Sequence, residues 1–243
     1  AASVAGLMKS FNPSWNNQQI ETMIIATANP IIYINNPEEN LQDKLGSGRV
    51  DALMATTTPL FPKIELVDID IINENDYNNE LNIGESIELL IILLNNDEWG
   101  TALNPNINLS CTSDNINIEN NNISLNNIEP GEPIINDTPF IIEFGYSSQP
   151  GIQQCQLNFT SNVNSYVEYT NEMSIVFEIN DAEILFGDIN MDLMIDVLDV
   201  INGINIIIGV LIPTDYEQLS LDMNQDGINN IQDIILIINI ILD

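Results

Sequence analysis

The sequence predicts a multi-domain, mainly β protein in three parts. These are a helical N-terminal segment over 1–58, an antiparallel β-sandwich over 62–180 and an all-α C-terminal module over 184–243. Three observations carry that prediction. The Ala-rich helical pattern ends at Thr56-Thr57-Thr58-Pro59. Beyond it, short apolar or alternating runs are divided by polar turns, the spacing of an antiparallel sandwich. Near the end, two twelve-residue acidic loops start at Asp188 and Asp222, 34 residues apart, and each opens an apolar helical run.

In the first part, residues 1–10 read as a helix of small residues closed by Asn12-Pro13. A second helix starts at the N-capping Asn16 or Asn17, runs through Gln19, Ile20, Met23, Ile24 and Ala28, and stops at Pro30. Leu45-Gly46-Ser47-Gly48-Arg49-Val50-Asp51-Ala52 then leads into a short third helix.

In the second part the strand candidates are 64–72, 86–95, 107–112, 139–146, 153–161 and 166–179. Asn82-Ile83-Gly84-Glu85 and Glu129-Pro130-Gly131-Glu132 mark turns between them. Cys111 and Cys155 fall in two of these runs. A disulfide between them would contribute about 3–4 kcal/mol in an oxidising compartment; two buried thiols are the alternative. Between the first two strands Glu74, Asp76, Asn78, Glu80 and Glu85 form an acidic cluster that reads either as a solvated hairpin loop or as a further cation site. The Asn-Xaa-Ser/Thr sequences at Asn108, Asn122, Asn136 and Asn158 are expected by chance in so Asn-rich a chain.

In the third part, Asp188, Asn190, Asp192, Asp196 and Asp199 occupy loop positions 1, 3, 5, 9 and 12. Asp222, Asn224, Asp226, Asn230 and Asp233 repeat the series. Oxygens at every second residue wrap around one point, which suits Ca²⁺ with its six to eight oxygen ligands at about 2.3–2.6 Å. Backbone carbonyls of Met194 and Ile228, at position 7, would add a ligand each. Without metal, pairs of carboxylates in one turn repel by about 1–4 kcal/mol at 4 Å, so ion binding would supply much of the folding energy of so small a module. Two Ca²⁺ sites are therefore expected.

This duplicated loop–helix pattern resembles the type I dockerin, a calcium-binding docking module of secreted proteins, over roughly 184–243. The resemblance implies that the ten residues above hold the two ions and that the module docks a protein partner of the cohesin type or attaches to a surface. The sharp turn at position 6 is made by Gly227 in the second loop but falls on Leu193 in the first. A left-handed non-glycine residue costs about 1–2 kcal/mol, so the first site is expected to be the weaker. Position 8, usually apolar in the family, is Ile195 and Asn229. Positions 10 and 11, often linked to partner choice, are Val197-Leu198 and Ile231-Gln232 rather than the Ser-Thr pair of cellulosomal dockerins.

Ala2-Ser3-Val4-Ala5-Gly6-Leu7, Asn12-Pro13-Ser14-Trp15, Ile25-Ala26-Thr27-Ala28 and the segment 45–52 are similar to the C-terminal end of a subtilisin-like serine peptidase domain. That resemblance implies a peptidase domain upstream, which is missing here together with its catalytic Asp, His and Ser. Ser3 and Ser10 have no base to activate them. The middle part resembles the immunoglobulin-like, CARDB-type sandwiches that follow such peptidases. Together these resemblances imply the non-catalytic C-terminal region of a secreted, extracellular or cell-surface serine endopeptidase; a structural or adhesive calcium-binding protein is the alternative.

Composition narrows the chemistry further. The 243 residues carry a net charge of −32, with 36 acidic and 4 basic residues, and no His. Lys9, Lys44, Arg49 and Lys63 are the basic residues, so everything after position 63 is purely anionic. Such a surface repels phosphate backbones and excludes nucleic acid as a partner. Lack of His removes His-dependent catalysis and His-ligated metals within this chain. No apolar run reaches membrane-spanning length; the closest, 231–242, is short and contains Asp233 and Asn239. The N-terminus has neither Met nor a basic signal-peptide region, and the sequence reads as the continuation of a longer chain.

Overall fold

A computed structural model describes residues 1–42, 44–73, 80–113, 115–146, 148–165, 167–181 and 184–242. The N-terminal part folds as α1 (Ala2–Phe11), α2 (Asn17–Ala26), the short α3 (Ile31–Ile34), a 3₁₀ turn at Glu39–Leu41 and α4 (Ala52–Thr57). Asn16 starts α2 through a reciprocal cap: its side chain accepts from Gln19 N at 2.9 Å, while the Gln19 side chain accepts from Asn16 N at 2.6 Å. Asp51 caps α4 by accepting from Met54 N. Pro30 acts differently from its expected role. The helix ends at Ala26, and Pro30 instead begins α3, where its missing N–H is no loss.

The middle part is a two-layer antiparallel sandwich built from β1 (Ile64–Asn73), β2 (Ser86–Asn95), β3 (Leu103–Cys111), β4 (Ile116–Glu119), β5 (Asn122–Ser124), β6 (Pro133–Ile135), β7 (Phe140–Phe144), β8 (Gly151–Asn162) and β9 (Glu168–Ile179). One sheet runs β1-β2-β7-β4, with β6 also on β2; the other runs β5-β3-β8-β9. β2 shows how its sequence dictates its place. Ile87, Leu89, Ile91, Leu93 and Asn95 alternate inward and are buried, while the residues between them are half-exposed. Phe140, Phe144, Phe159 and Phe177 fill the space between the sheets, with Phe144 and Phe177 edge to face at 6.0 Å. Truncating any one to Ala removes about 3–5 kcal/mol.

Two buried amides stitch the first sheet. Asn136 lies between β6 and β7, which share one edge of β2, and its Oδ1 accepts from Ile91 N across the gap in the ladder. Its Nδ2 donates to Thr138 O, so this amide is structural and not a free glycan acceptor. Asn95 accepts from Lys63 N and donates to the carbonyls of Gly100 and Ile128. In the second sheet Cys111 and Cys155 sit directly opposite on β3 and β8 and are joined as a disulfide.

The N-terminal helices are seated on one end of this sandwich. Met8, Trp15, Ile20, Met23 and Ala55 form a cluster with Phe61 and Val163, the latter beyond β8. Phe61 meets Tyr169 of β9 edge to face. Asn16 Nδ2 donates to the Glu98 carboxylate, and Gln19 Nε2 to the Glu98 carbonyl.

The C-terminal part consists of α5 (Val197–Ile207), α6 (Asp215–Leu221) and α7 (Ile231–Leu242) around Ile189, Leu221, Ile234 and Ile237. Gly203 lets α5 approach α7: a Cβ there would lie 2.6 Å from Ile234 Cδ1 and 2.9 Å from Leu221 Cδ1. Among the described residues no helix is long and apolar enough to cross a membrane.

Replacing Cys111 and Cys155 together by Ala should lower stability by about 3–4 kcal/mol, read as a shift of the denaturant midpoint. Residues 1–58 produced alone should show no cooperative thermal transition, because the Phe61 and Val163 side chains that complete their core are absent. A sharp transition would contradict that shared core.

Candidate metal centre

The two acidic loops adopt one backbone shape. Positions 4 and 6 are left-handed in both, at φ values of 58° and 66° for Met191 and Leu193 and 56° and 78° for Gln225 and Gly227. Only Gly227 adopts this freely. Leu193 holds the turn with its side chain in solvent, so its cost is confined to the backbone.

The hydrogen bonds repeat position by position. Asp188 takes Asp192 N and Leu193 N on its two oxygens at 3.2 and 2.9 Å; Asp222 takes Asp226 N and Gly227 N at 3.1 and 2.8 Å. Asn190 Nδ2 donates to Asp192 at 2.9 Å, and Asn224 Nδ2 to Asp226 at 3.0 Å. Asp192 and Asp226 accept from Met194 N and Ile228 N, both at 2.9 Å. Asp199 and Asp233 close the loops by accepting from Asn190 N and Asn224 N, and from Asp196 N and Asn230 N. Positions 1, 3, 5 and 12 are thereby drawn together in each loop. Asp196 and Asn230 serve instead as helix caps, accepting from Leu198 N and Gln232 N.

The loops differ in depth. Asp188, Asp199 and Asp233 are fully buried, whereas Asp222 is half-buried and Asp226 exposed. Among the described residues no three His, Cys, Asp or Glu side chains are grouped so that they could hold a metal ion by themselves. Each loop presents carboxylates mixed with Asn amides, and its carboxylates accept from backbone N–H groups. An ionised carboxylate offers about four lone-pair sites, so each retains capacity for a cation. An all-oxygen donor set of this kind fits a hard cation, Ca²⁺ above all, and not Zn²⁺.

A further element braces the first loop. Helix α6 is signalled in the sequence by the capping box Thr214 and Glu217, which is formed. It carries the buried Tyr216, whose hydroxyl is pushed above its ordinary pKa chiefly by burial and then by the nearby Asp188 carboxylate. Gly187 N donates to Ser220 O at 2.8 Å, tying the start of the first loop to the end of α6. Asn229, polar where an apolar residue is expected, donates to Gln218 O at 2.9 Å.

The acidic cluster before β2 is less coherent. Glu85 accepts from Asn82 N and Nδ2 within its own turn, and Asn180 Nδ2 approaches Glu80 at 3.4 Å. Glu74, Asp76 and Asn78 lie outside the described residues.

No protein-family profile matches the chain, and no curated protein sequence does. Among solved structures, a family 123 glycoside hydrolase from Clostridium perfringens is similar at a TM-score of 0.31 and 18% identity over 54% of this chain, which spans 28% of that enzyme. The CARDB domain of a Pyrococcus furiosus protein, solved with di-metal ions, gives 0.30 at 13% identity over 51% of this chain and 92% of its own. A cohesin module of a family 33 glycoside hydrolase from Clostridium perfringens gives 0.28 at 14% identity, covering 52% of this chain and all of that one.

Asp222→Ala and Asp233→Ala should each weaken Ca²⁺ uptake by the second loop at least tenfold in calorimetric titration. Glu178→Ala, an exposed carboxylate on β9, should leave uptake unchanged. Equal affinities for all three variants would contradict the ligand assignment.

Proposed function

We propose that this chain is a non-catalytic interaction region in which a β-sandwich spacer carries a Ca²⁺-dependent docking module for a protein partner. One observation carries the reading. Two loops 34 residues apart share the same left-handed positions and the same side-chain hydrogen bonds, and they bury carboxylates in a part of the chain that has no Lys or Arg. Uncompensated burial of several carboxylates costs several kcal/mol per ion, and a divalent cation offsets it.

Docking is supported by what surrounds the loops. Val197, Ile201, Ile208, Ile231, Ile235 and Leu242 are exposed on α5 and α7, and Ile208 ends the first of these helices. Apolar exposure on that scale marks a surface used for association. A cohesin-type module is the proposed partner class, following the resemblance of residues 184–243 to dockerins.

Proteolysis belongs, on this reading, to a subtilisin-like serine endopeptidase domain upstream, and the parent is secreted. The similarity of residues 1–58 to the end of such a domain supports that assignment, and the Cys111–Cys155 disulfide is in keeping with an oxidising compartment. A structural or adhesive role without a protease parent is favoured by a different observation: α1, α2 and α4 share their core with the sandwich rather than lying apart from it.

Circular dichroism of the full chain with Ca²⁺ and then with excess chelator tests the ion requirement. Chelation should remove the helical signal of α5–α7 while the β signal stays. A spectrum indifferent to both additions would refute calcium-dependent folding of the tail.

A further inference from the structure

We propose that Tyr146 and Tyr216 form a latch through which ion occupancy of the first acidic loop fixes the seating of the C-terminal module on the sandwich. The inference rests on the Ca²⁺ reading above. The two rings lie 5.7 Å apart, tilted by 58°, and they join the turn after β7 to α6 of the module. Beside them an open groove of about 250 Å³ is lined by Tyr146, Asp215, Gln218 and Leu219. The ring pair thus bridges the sandwich and the module beside an open groove.

Each ring is backed on its own side. Tyr146 lies against Gly84, where φ is 92° and a Cβ would stand 2.4 Å from the ring's Cζ, so glycine is what permits the contact. Tyr216 is buried and lies near the Leu185 backbone. Asp188 N donates to Leu185 O at 3.1 Å, and Gly187 N to Ser220 O at 2.8 Å. The short stretch 185–188 thus lies beside Tyr216, braces α6 and supplies the first carboxylate of the loop. Ile189 N and Asn190 N, which follow immediately, are held by Asp199.

An ion that draws Asp188 and Asp199 together fixes this stretch, and with it the face that Tyr216 offers to Tyr146. Without the ion, repulsion between the same carboxylates loosens the stretch and frees the ring. Coupling of this kind is reciprocal: if the ion steadies the ring pair, the ring pair must strengthen the ion.

Calcium titration of the full chain by calorimetry, paired with small-angle scattering, tests the latch in the unaltered protein, Tyr146→Ala and Tyr146→Phe. Tyr146 is no ligand, yet Tyr146→Ala should weaken one of the two Ca²⁺ sites about 2- to 10-fold, the range set by loss of an aromatic pair. It should also enlarge the Ca²⁺-loaded particle. Tyr146→Phe keeps the ring and should restore both readouts. Hydrogen exchange should place the loss of protection at 185–190 and not at 222–227. Unchanged affinities and dimensions in Tyr146→Ala would overturn the latch alone. Absence of Ca²⁺ uptake by the unaltered chain would overturn the ion reading and the latch with it.

Discussion

Buried negative charge without positive side chains is the constraint around which the C-terminal quarter is organised. Asp188, Asp199 and Asp233 are removed from solvent, and the last basic residue in the chain is Lys63. Backbone N–H groups answer part of that charge. Leu193, Ile189 and Asp196 donate to the first pair of carboxylates, and Gly227 and Asn230 donate to their counterparts. Main-chain dipoles orient the oxygens but leave the net charge in place, and the Ca²⁺ proposed above would complete the balance.

The sandwich is governed by different physics, and it is the stable frame. Its centre is a continuous apolar layer of Ile, Leu and Phe from both sheets. Where the chain leaves the regular ladder, a buried amide takes over, as Asn136 does for Ile91 and Asn95 for Lys63, Gly100 and Ile128. Each such amide has its main hydrogen bonds satisfied, which makes it tolerable in an apolar interior. The N-terminal helices extend the frame by packing Met8, Trp15 and Met23 against Phe61 and Val163.

These two regimes bear on the proposed docking role. The frame is held by hydrophobic burial and a disulfide, whereas under the proposed Ca²⁺ reading the tail would answer to the concentration of a divalent ion. Apolar side chains on α5 and α7 stay exposed in the folded tail, so ordering by an ion would assemble a surface for a partner rather than a sealed core. The thin seam at Tyr146 and Tyr216 lies where the two regimes meet.

Much of this was legible in the chain itself. Alternation in residues 86–95 and the length of the apolar runs marked six strands, all of which exist, and Asn16 announced the start of α2. The spacing of the ten loop residues marked two like loops, which share one set of hydrogen bonds; their role as ion ligands belongs to the proposal above. The sequence left other features silent. β4, β5 and β6 are three or four residues long and Asn-rich or Pro-led, and they become strands only because β7, β3 and β2 supply their partners. Likewise, no local pattern tells that Asn136 bridges two strands, that α1 and α2 rest on the sandwich, or that Tyr216 reaches Tyr146. Periodicity and loop spacing are properties of neighbouring residues and can be read in one dimension. Pairings between residues dozens of positions apart are settled only when the whole chain competes for the same buried space.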